Sequence, residues 1–239
     1  MTISLVGQAT NTASANSLAV SRSSAGGNAL VAIGQLYTGG SSGAYPSTIT
    51  DTAGNTWQVA TALSSNPPAS TPDASLNAGR AIAIAWTLGA SAITSVTLTA
   101  PNAAFMSFNI SEWSGIGSET AGGYVQGAPS TPNEVVSSSL AVPAGGLVIG
   151  GAYPSSGSGL TSGEFPAAAT QLTAPQAGNA FWFGYQIFTS PATLAWDWLF
   201  TDAGWISVAA VFAPPGAVSS LPAQPLVVPS LAAIQAASW

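Results

Sequence analysis

Short apolar runs alternate with clusters of Gly, Pro, Ser and Asn along almost the whole chain. The runs are rich in β-branched and aromatic residues and are shorter than most helices, which is typical of strands. Helical spacing is confined to Pro229–Trp239, a stretch too short to be a stable helix by itself. The pattern predicts strands at Ala29–Leu36, Ala81–Leu88, Ile93–Thr99, Ala104–Trp113, Gly146–Tyr153, Ala180–Phe188, Thr193–Leu199 and Trp205–Phe212.

Parts of this pattern occur twice. The segment Ser17–Val20 (SLAV) recurs as Ser139–Val142, and in both places a Gly-Gly turn and another apolar run follow. The large residues of two later pairs of runs also align. These are Ile82, Ile84 and Trp86 with Phe181, Phe183 and Tyr185, and Met106, Phe108 and Ile110 with Ile206, Val208 and Ala210. The alternative is chance identity in a chain rich in Ala and Gly, but we predict two copies of one β unit.

The fold predicted from these observations is all-β. It is a jelly-roll-like antiparallel β-sandwich of about twelve strands with pseudo-duplicated halves. The sandwich domain is expected to span 1–213, with halves at about 1–116 and 134–213. Two stretches without a strand pattern, Ser64–Asn77 and Gly115–Pro132, are interpreted as surface excursions. Residues 214–239 are predicted to form an extended, Pro-rich C-terminal arm outside the sandwich.

Charged residues make up only 4% of the chain, whereas about 25% is usual for a soluble domain. The basic residues are Arg22 and Arg80, and there is no Lys, His or Cys. Such a neutral surface gives weak electrostatic repulsion between copies, so self-association is poorly opposed. The composition therefore predicts a homo-oligomer, with a trimer among the forms considered.

The same composition excludes several classes of function. Two isolated Arg residues cannot supply the contacts that bind phosphates, so we predict no nucleic-acid partner. No run approaches the ~18 apolar residues of a membrane span, and Met1–Ser4 does not resemble a secretory signal, so we predict no membrane partner. Without His, Lys or Cys a Ser nucleophile has no ordinary base. We predict that the protein is not an enzyme and has no cofactor.

The segment Asp51–Trp57 (DTAGNTW) follows a strand-like run. Asp, Gly and Asn tolerate the backbone conformations of tight turns, so the segment predicts a hairpin turn. The alternative is an oxygen site for calcium, but calcium takes six to eight oxygen ligands and the segment has no second carboxylate. We therefore predict no metal site.

Two acidic residues beside Trp, Glu112 and Asp197, are the candidates for a glycan-cleaving pair, which needs two carboxylates roughly 5–9 Å apart. The sequence places them on different strands of different halves and gives no separation. The eight Trp residues are also open to two interpretations. They fill a core or a subunit interface, or they form exposed platforms on which sugar rings stack. Their positions within strand patterns favour a core or an interface.

Three motifs carry a resemblance to a known family. They are Ile49–Trp57 (ITDTAGNTW), Glu112–Ile116 (EWSGI) and a last strand ending in Val211–Pro214. Over roughly residues 1–214 the chain resembles β-sandwich proteins of bacteria and tailed phages. Those from phages of actinobacteria are labelled minor tail, minor capsid or decoration proteins. The resemblance implies a virion structural component on the outer surface of the capsid or tail. It offers no catalytic residue.

Three functions are therefore weighed. The leading one is a structural protein that decorates a phage capsid or belongs to a tail, with the major capsid or tail proteins as partners. The second is a carbohydrate-binding adhesin or receptor-binding module, so a glycan partner stays open. The third is a glycan-active enzyme. An exposed row of aromatics would favour the carbohydrate-binding function. Glu112 and Asp197 facing one cleft would favour the glycan-active enzyme. Buried aromatics, together with an arm Pro214–Trp239 that runs onto another subunit, would favour the first.

The C-terminal arm is the predicted interface. Its prolines cannot donate hydrogen bonds to a sheet, yet the segment carries large apolar residues that an extended chain cannot bury against itself. Docking on a neighbouring subunit or an underlying shell would bury them; folding back on its own sandwich is the alternative. The interface residues predicted on this basis are Leu221, Leu226, Val227, Val228, Leu231, Ile234 and Trp239.

Overall fold

The computed structural model describes residues 1–37, 48–63, 80–100, 105–127, 134–136, 140–154, 168–172, 182–194, 197–199 and 205–217. These ranges hold seventeen strands and no helix, so none of them contains a helix that could cross a membrane. The strands are β1 (Ser4–Ala13), β2 (Ser17–Ser21), β3 (Ala29–Tyr37), β4 (Thr48–Asp51), β5 (Gln58–Leu63), β6 (Arg80–Thr87), β7 (Ser95–Thr99), β8 (Phe105–Ser114), β9 (Ser118–Gly127), β10 (Glu134–Val136), β11 (Leu140–Val142), β12 (Leu147–Pro154), β13 (Thr170–Gln171), β14 (Trp182–Ile187), β15 (Ala192–Leu194), β16 (Asp197–Leu199) and β17 (Trp205–Ala213).

Two five-stranded antiparallel sheets dominate the architecture. Sheet I has the order β1-β8-β3-β6-β5, and sheet II has the order β13-β14-β12-β17-β9. A three-stranded outer sheet, β2-β7-β4, lies beside sheet I, and the pairs β11–β15 and β10–β16 belong to the second half. The prediction of an all-β antiparallel sandwich is confirmed. In the first half β1 pairs with β8, β2 with β7 and β3 with β6, which is the nesting that a jelly roll requires. The jelly-roll description stays a prediction.

The strand registers show that the two halves are copies of one unit. In the first half, Gly27 N donates to Ala90 O and Ala90 N to Asn28 O, both at 2.8 Å. In the second half, Gly145 N donates to Phe188 O at 2.7 Å and Phe188 N to Gly146 O at 2.8 Å. Both turns need a residue with a positive φ, and both use Gly, at +92° for Gly27 and +72° for Gly145. The equivalence of these two glycines fixes the alignment of the halves.

Counting from these glycines makes Val31 equivalent to Ile149. Val31 pairs with Trp86 and Ser111, and Ile149 pairs with Tyr185 and Ala210. The two sheets therefore have the same strand order. From one edge to the other, sheet I is β1-β8-β3-β6-β5 and sheet II is β9-β17-β12-β14-β13, and strands at the same place in the two orders are equivalent. The predicted alignment of Trp86 with Tyr185, and of Ile84 with Phe183, agrees with this register.

A matching irregularity supports the duplication. The β1–β8 register shifts between Leu5 and Gly7, opposite Trp113 and Glu112, which leaves Val6 as a bulge. The β9–β17 register shifts at the equivalent place, between Phe212 and Val211, and leaves Thr120 as the extra residue. A bulge at the same position of both edge strands is a feature of the unit, because chance similarity of composition would not reproduce it.

The predicted alignment of β8 with β17 was wrong by one residue. The register makes Ser111, not Ile110, equivalent to Ala210, so the aligned trio Met106, Phe108 and Ile110 faces a different layer from Val208 and Ala210. Almost every residue of β8 is buried, on both faces of the strand. The alternation of apolar and polar positions that would have fixed the register is therefore missing.

Two of the predicted boundaries also differ. The excursion predicted at Gly115–Pro132 contains β9, an edge strand of sheet II, so the second unit begins at Ser118. Its composition, SETAGGYVQG, hides the strand because Gly and Ala give no apolar alternation. The run Thr193–Leu199 holds two strands with different partners, since β15 pairs with β11 and β16 with β10. The predicted excursion Ser64–Asn77 and the run Pro229–Trp239 lie outside the described residues.

The inner core lies between sheets I and II and joins the halves. Trp86 of β6 meets Phe212 of β17 edge to face, with ring centroids 5.9 Å apart. Trp113 of β8 meets Tyr185 of β14 in the same way at 4.9 Å. Because Trp86 is equivalent to Tyr185 and Trp113 to Phe212, these are one contact made twice. A pseudo-twofold axis that runs parallel to the strands, between β3 and β12, relates the halves.

A second, outer core separates sheet I from the outer sheet. It is formed by Leu18 and Val20 of β2, Val96 and Leu98 of β7, and the outer face of β3 and β8. In the second half Leu140 and Val142 of β11 are equally buried, and β11 contacts β17. The sandwich thus has four layers, and the central strands are buried on both faces.

Replacing Phe212 by Ala should lower the free energy of unfolding by about 3–5 kcal/mol, because it opens a cavity in the inner core and removes the ring that meets Trp86. Since both halves share that core, urea denaturation followed by circular dichroism should show one transition at a lower midpoint. The exposed control Thr193→Ala should leave the midpoint unchanged. Two separate transitions, of which only one moves, would contradict a shared core.

Candidate functional site

The predicted interface residues of the arm, Leu221 to Trp239, lie outside the described residues, so their role stays a prediction. The structure does show how the arm starts. The strand β17 ends at Ala213, whose carbonyl accepts a 2.8 Å hydrogen bond from the Gly117 amide in the connection between the halves. Pro214 and Pro215 follow and lie against Gly145 and Gly117, respectively. The arm therefore leaves the sandwich from a fixed point.

We define the arm end as the end of the sandwich at which β17 finishes. The first paired residues of the central strands β3 and β12 lie there. Ala29 of β3 pairs with Trp113, and the equivalent Leu147 of β12 pairs with Phe212. Because the pseudo-twofold axis is parallel to the strands, equivalent residue pairs of the two sheets lie at the same end of the sandwich. The connections that meet at the arm end are residues 22–28, 52–57, 88–94, 115–117, 143–146, 188–191 and 214–217, all within the described ranges.

Glu112 forms a buried ion pair near this end. Its Oε2 lies 2.7 Å from Arg22 Nη2, and Asn28 Nδ2 donates to Oε1 at 2.8 Å. Its side chain is only 2% exposed. The guanidinium fits because residue 7 is Gly, since a Cβ at Gly7 would come within 2.5 Å of Arg22 Nη2. Arg22 directly follows β2, so the pair ties the outer sheet to sheet I.

The second half forms the same unit without this ion pair. Val211 stands at the position of Glu112 and Ala121 at that of Gly7. The connection from Val142 to Gly145 is four residues shorter than that from Val20 to Gly27, so no residue stands for Arg22. A buried ion pair costs desolvation and is often replaceable by apolar residues. The pair is therefore a property of the first half and not a requirement of the fold.

This burial bears on the glycan-cleaving alternative. Both carboxylate oxygens of Glu112 are occupied and closed to solvent, so Glu112 cannot reach a bound glycan as an acid or a nucleophile. Asp197 belongs to β16, which pairs with β10 in the other half. In the described part of the chain no three His, Cys, Asp or Glu residues cluster where they could hold a metal ion.

The Asp51 segment forms a tight turn, but the prediction of a hairpin was wrong, because β4 pairs with β7 in the outer sheet and β5 pairs with β6 in sheet I. Asp51 Oδ1 accepts the backbone N–H groups of Ala53 at 2.8 Å and Asn55 at 3.2 Å, and Gly54 has a positive φ of +73°. Asp51 Oδ2 accepts Trp57 Nε1 at 2.8 Å and Asn55 Nδ2 at 3.0 Å. Asn55 Oδ1 in turn accepts the Ser91 amide at 2.8 Å. The carboxylate holds the turn and the indole in place directly, and it holds the next connection through Asn55.

The electrostatics of this turn favour the ionised carboxylate. Burial raises the pKa of Asp51, but the hydrogen bonds from Trp57, Asn55 and the backbone N–H groups of Ala53 and Asn55 outweigh it. The pKa of Asp51 therefore lies below its ordinary value of 3.8. The turn is charged and fully hydrogen-bonded at neutral pH.

The aromatic residues do not form an exposed row among the side chains that the structure describes. Trp86 and Trp113 are buried in the inner core, and Tyr185 packs against it. Trp57 is half-buried and borders a groove of about 410 Å³ between sheet I and β4. The other residues that line this groove are mostly small or apolar: Ala32, Gly34, Thr48, Ile49, Thr50, Ala83, Ala85, Leu98 and Phe108.

Comparisons with protein-family models, with curated proteins and with solved structures find no match for this chain. The resemblance to phage β-sandwich proteins therefore stays a prediction from the sequence. Sequence reasoning missed two residues at the arm end, Leu88 and Ile187, which are large, apolar and exposed at equivalent positions of the halves. The repeat pattern held the signal, because Leu88 directly follows β6 and Ile187 is the last residue of the equivalent strand β14.

Glu112→Val leaves the Arg22 guanidinium without its partner, and we expect it to lower the free energy of unfolding by about 3–5 kcal/mol. In the double variant Arg22→Met/Glu112→Val, which imitates the apolar second half, most of that loss should be regained. Urea denaturation of the two single variants and the double variant gives the coupling. Losses that simply add would show that the pair is not a unit.

The stability contributed by the Asp51 carboxylate should depend on pH. Its pKa in the folded state is depressed, so its contribution is present above the unfolded value, taken as 3.8, and is lost as the pH falls through the folded pKa. The difference in urea midpoint between wild type and Asp51→Asn should be constant at neutral pH and shrink in acid. The nearby variant Thr50→Ser should differ from wild type equally at every pH. A difference that grows in acid would contradict this assignment.

Proposed function

We propose that the protein is a non-catalytic structural component of a tailed-phage virion, on the outer surface of the capsid or tail. The observation that carries the proposal is the placement of the aromatics, since Trp86, Trp113, Phe183 and Phe212 are buried in the core between the halves and Tyr185 packs against it, and no exposed row of rings is described. The scarcity of charge supports the same role, because a surface with little repulsion suits a protein packed among others. The resemblance of the sequence to such proteins agrees with it.

The proposed partners are further copies of this chain and the major capsid or tail proteins. Attachment is proposed to run through the arm, whose apolar residues would gain roughly 1.5–3 kcal/mol for each large side chain that docking buries, before ordering costs. The fixed departure of the arm from Ala213 and Pro214 supports this role, since a rigid starting point lowers the entropy cost of docking.

A carbohydrate-binding role is the second candidate, and the Trp57 groove is the observation that favours it. The indole borders an uncharged groove, and Thr48 and Thr50 stand at its rim. Against this, the indole N–H already donates to Asp51, and Phe108, the other aromatic among the groove-lining residues, is buried. Titration of the protein with neutral oligosaccharides while Trp57 fluorescence is followed would test it, with Trp57→Phe as the matched variant.

Truncation after Ala217 keeps every described residue and removes Leu221 to Trp239, so the sandwich should fold as before. If the arm is the anchor, the truncated protein should be absent from purified virions in which the full chain is labelled and visible. The full-length variant Leu226→Ser/Val227→Ser/Val228→Ser separates lost apolar contacts from lost length and should reduce incorporation as well. Equal incorporation of the truncated and full chains would rule out the arm as the anchor.

Glu112 is unsuitable for testing whether the protein is an enzyme, because replacing it disturbs a buried ion pair and therefore the fold. Asp197→Asn is the better choice for that test. Glycan hydrolysis by the wild type that disappears in Asp197→Asn, at unchanged unfolding midpoint, would overturn the non-catalytic proposal.

A further inference from the structure

One edge of sheet I, the strand β1, lacks the features that usually protect a sheet edge. Its ten residues, SLVGQATNTA, include no proline and no charged side chain. Its ladder partner in the described structure is β8, on one side only. Gln8, Thr10 and Asn11 are exposed, so solvent reaches the other side of the strand. Such an edge carries backbone N–H and C=O groups with which another strand can pair.

The other described sheet edges are covered or short. In the two large sheets β5 contacts β9 and β17, and β9 also contacts β10 and β11. The strand β13 has two residues, β4 has four, and each strand of the two small pairs has three. In the outer sheet the edge of β2 is partly occupied, because Ala19 O accepts Asn11 Nδ2 at 2.8 Å. The longest open edge among the described strands is therefore β1.

The open backbone groups of β1 follow from its hydrogen bonds. Successive residues of an antiparallel strand direct these groups alternately toward a neighbouring strand and away from it. The Thr12 N–H points away from β8, because it donates to Asn11 Oδ1 at 2.8 Å. The hydroxyls of Thr12 and Ser107 lie 3.1 Å apart, as expected for a pair without backbone bonds, whose side chains are closer. By the same alternation, the N–H and C=O groups of Gln8 and Thr10 face solvent.

This open segment is symmetric about Ala9. The bulge at Val6 interrupts the strand three residues before Ala9, and the N–H of Thr12, three residues after it, is already satisfied by a side chain. Between the two interruptions the open groups belong to Gln8 and Thr10, one on each side of Ala9. An antiparallel partner of the same sequence could therefore match every open group with an open group.

From these observations we propose that β1 is a self-association edge, on which β1 of a second copy of this chain pairs antiparallel, with Ala9 opposite Ala9. Each Gln8 then forms a hydrogen-bonded pair with Thr10 of the other copy. Each Val6 bulge faces a Thr12 whose N–H needs no partner, so the interruptions coincide. Sheet I becomes continuous across the interface. This inference rests on the self-association part of the proposed function and names the edge responsible.

The chemistry of the edge favours a second copy over other occupants. A twofold interface needs a surface that complements itself, and an antiparallel ladder centred on one residue does so. No described charge opposes the contact, since Arg22, which lies beside Gly7, is neutralised by Glu112. The arm of a neighbouring copy is a poorer strand, because its prolines cannot donate hydrogen bonds to a ladder.

The edge is also held in place before it pairs. Asn109 Nδ2 donates to Gln8 Oε1 at 3.1 Å and to Thr10 Oγ1 at 2.9 Å, so both side chains are fixed from within the sandwich. Such fixed groups lose less entropy on association. Pairing through one strand buries little surface and belongs to the weak class of interfaces, below about 1,200 Å². Many copies on one particle would strengthen it by multivalency.

The test is sedimentation of the full chain from micromolar to millimolar concentration, where we expect a reversible dimer. Gln8→Lys/Thr10→Lys places like charges opposite each other and should raise the dissociation constant at least about tenfold. The matched variant Gln8→Lys/Thr10→Glu places opposite charges at the same two positions and should keep it within about threefold of wild type. Unchanged unfolding midpoints confirm that each variant is folded.

A second pair of variants tests the backbone groups. Thr10→Val keeps the N–H of residue 10 and loses only the hydroxyl that bonds Asn109, whereas Thr10→Pro loses both. Proline is tolerated at an edge position whose N–H faces solvent. We therefore expect Thr10→Pro to weaken dimerisation and Thr10→Val to leave it close to wild type.

A wild type that stays monomeric throughout, or equal weakening by the two charged variants, overturns the inference. Dimers that are equally stable in Thr10→Pro and Thr10→Val also overturn it. So does association that survives Gln8→Lys/Thr10→Lys but vanishes on truncation after Ala217, because the arm would then hold the copies together. Virion incorporation is measured separately. A monomeric protein that still enters particles refutes this edge and leaves the structural role, whereas a dimer absent from particles does the reverse.

Discussion

The packing of sheet I on sheet II is the constraint on which the rest of the structure depends. Two edge-to-face ring contacts, Trp86 with Phe212 and Trp113 with Tyr185, repeat one interaction about a pseudo-twofold axis. A half without its partner would expose Val31, Ile84, Trp113 and the rest of one sheet face to water. The chain is therefore an internal pseudo-dimer whose two units share one core, and folding of either half is tied to the other.

This arrangement explains how a chain with so few charges keeps its layers in place. Most of the alignment comes from apolar burial on both faces of the central strands. The first half adds the Arg22–Glu112 pair and the Asp51 turn, which fix the outer sheet and the connections at the arm end. The second half holds its outer strands with Leu140 and Val142 and with Val211 in the place of Glu112. The two halves thus have the same strand arrangement, although only the first contains the buried ion pair and the Asp51 turn. These polar interactions therefore add to a fold that apolar packing already specifies.

The duplication also shapes the proposed role in an assembly. A pseudo-twofold axis parallel to the strands brings both units' turns, the departure of the arm and the exposed Leu88 and Ile187 to one end. The arm that leaves from this end is the proposed anchor. Among the described residues, the aromatic side chains of the inner core pack between the halves and do not form a platform for sugars. A virion protein held by one end, with a neutral surface elsewhere, is the role that these features support together.

The sequence by itself determined the all-β class, the repeat and several strand limits, because apolar runs bounded by Gly and Pro are local signals. It also determined the Asp51 turn, since Asp, Gly and Asn act within a few residues of one another. It could not align β8 with β17, because strands buried on both faces lose the alternation that fixes a register. Nor did it reveal β9, whose Gly and Ala residues give no pattern, or the burial of Glu112, which depends on Gly7 and Arg22 meeting it across three strands. Only the tertiary structure decided which faces meet, and with them which residues join the halves and which stay exposed at the arm end, because burial depends on contacts between residues far apart along the chain.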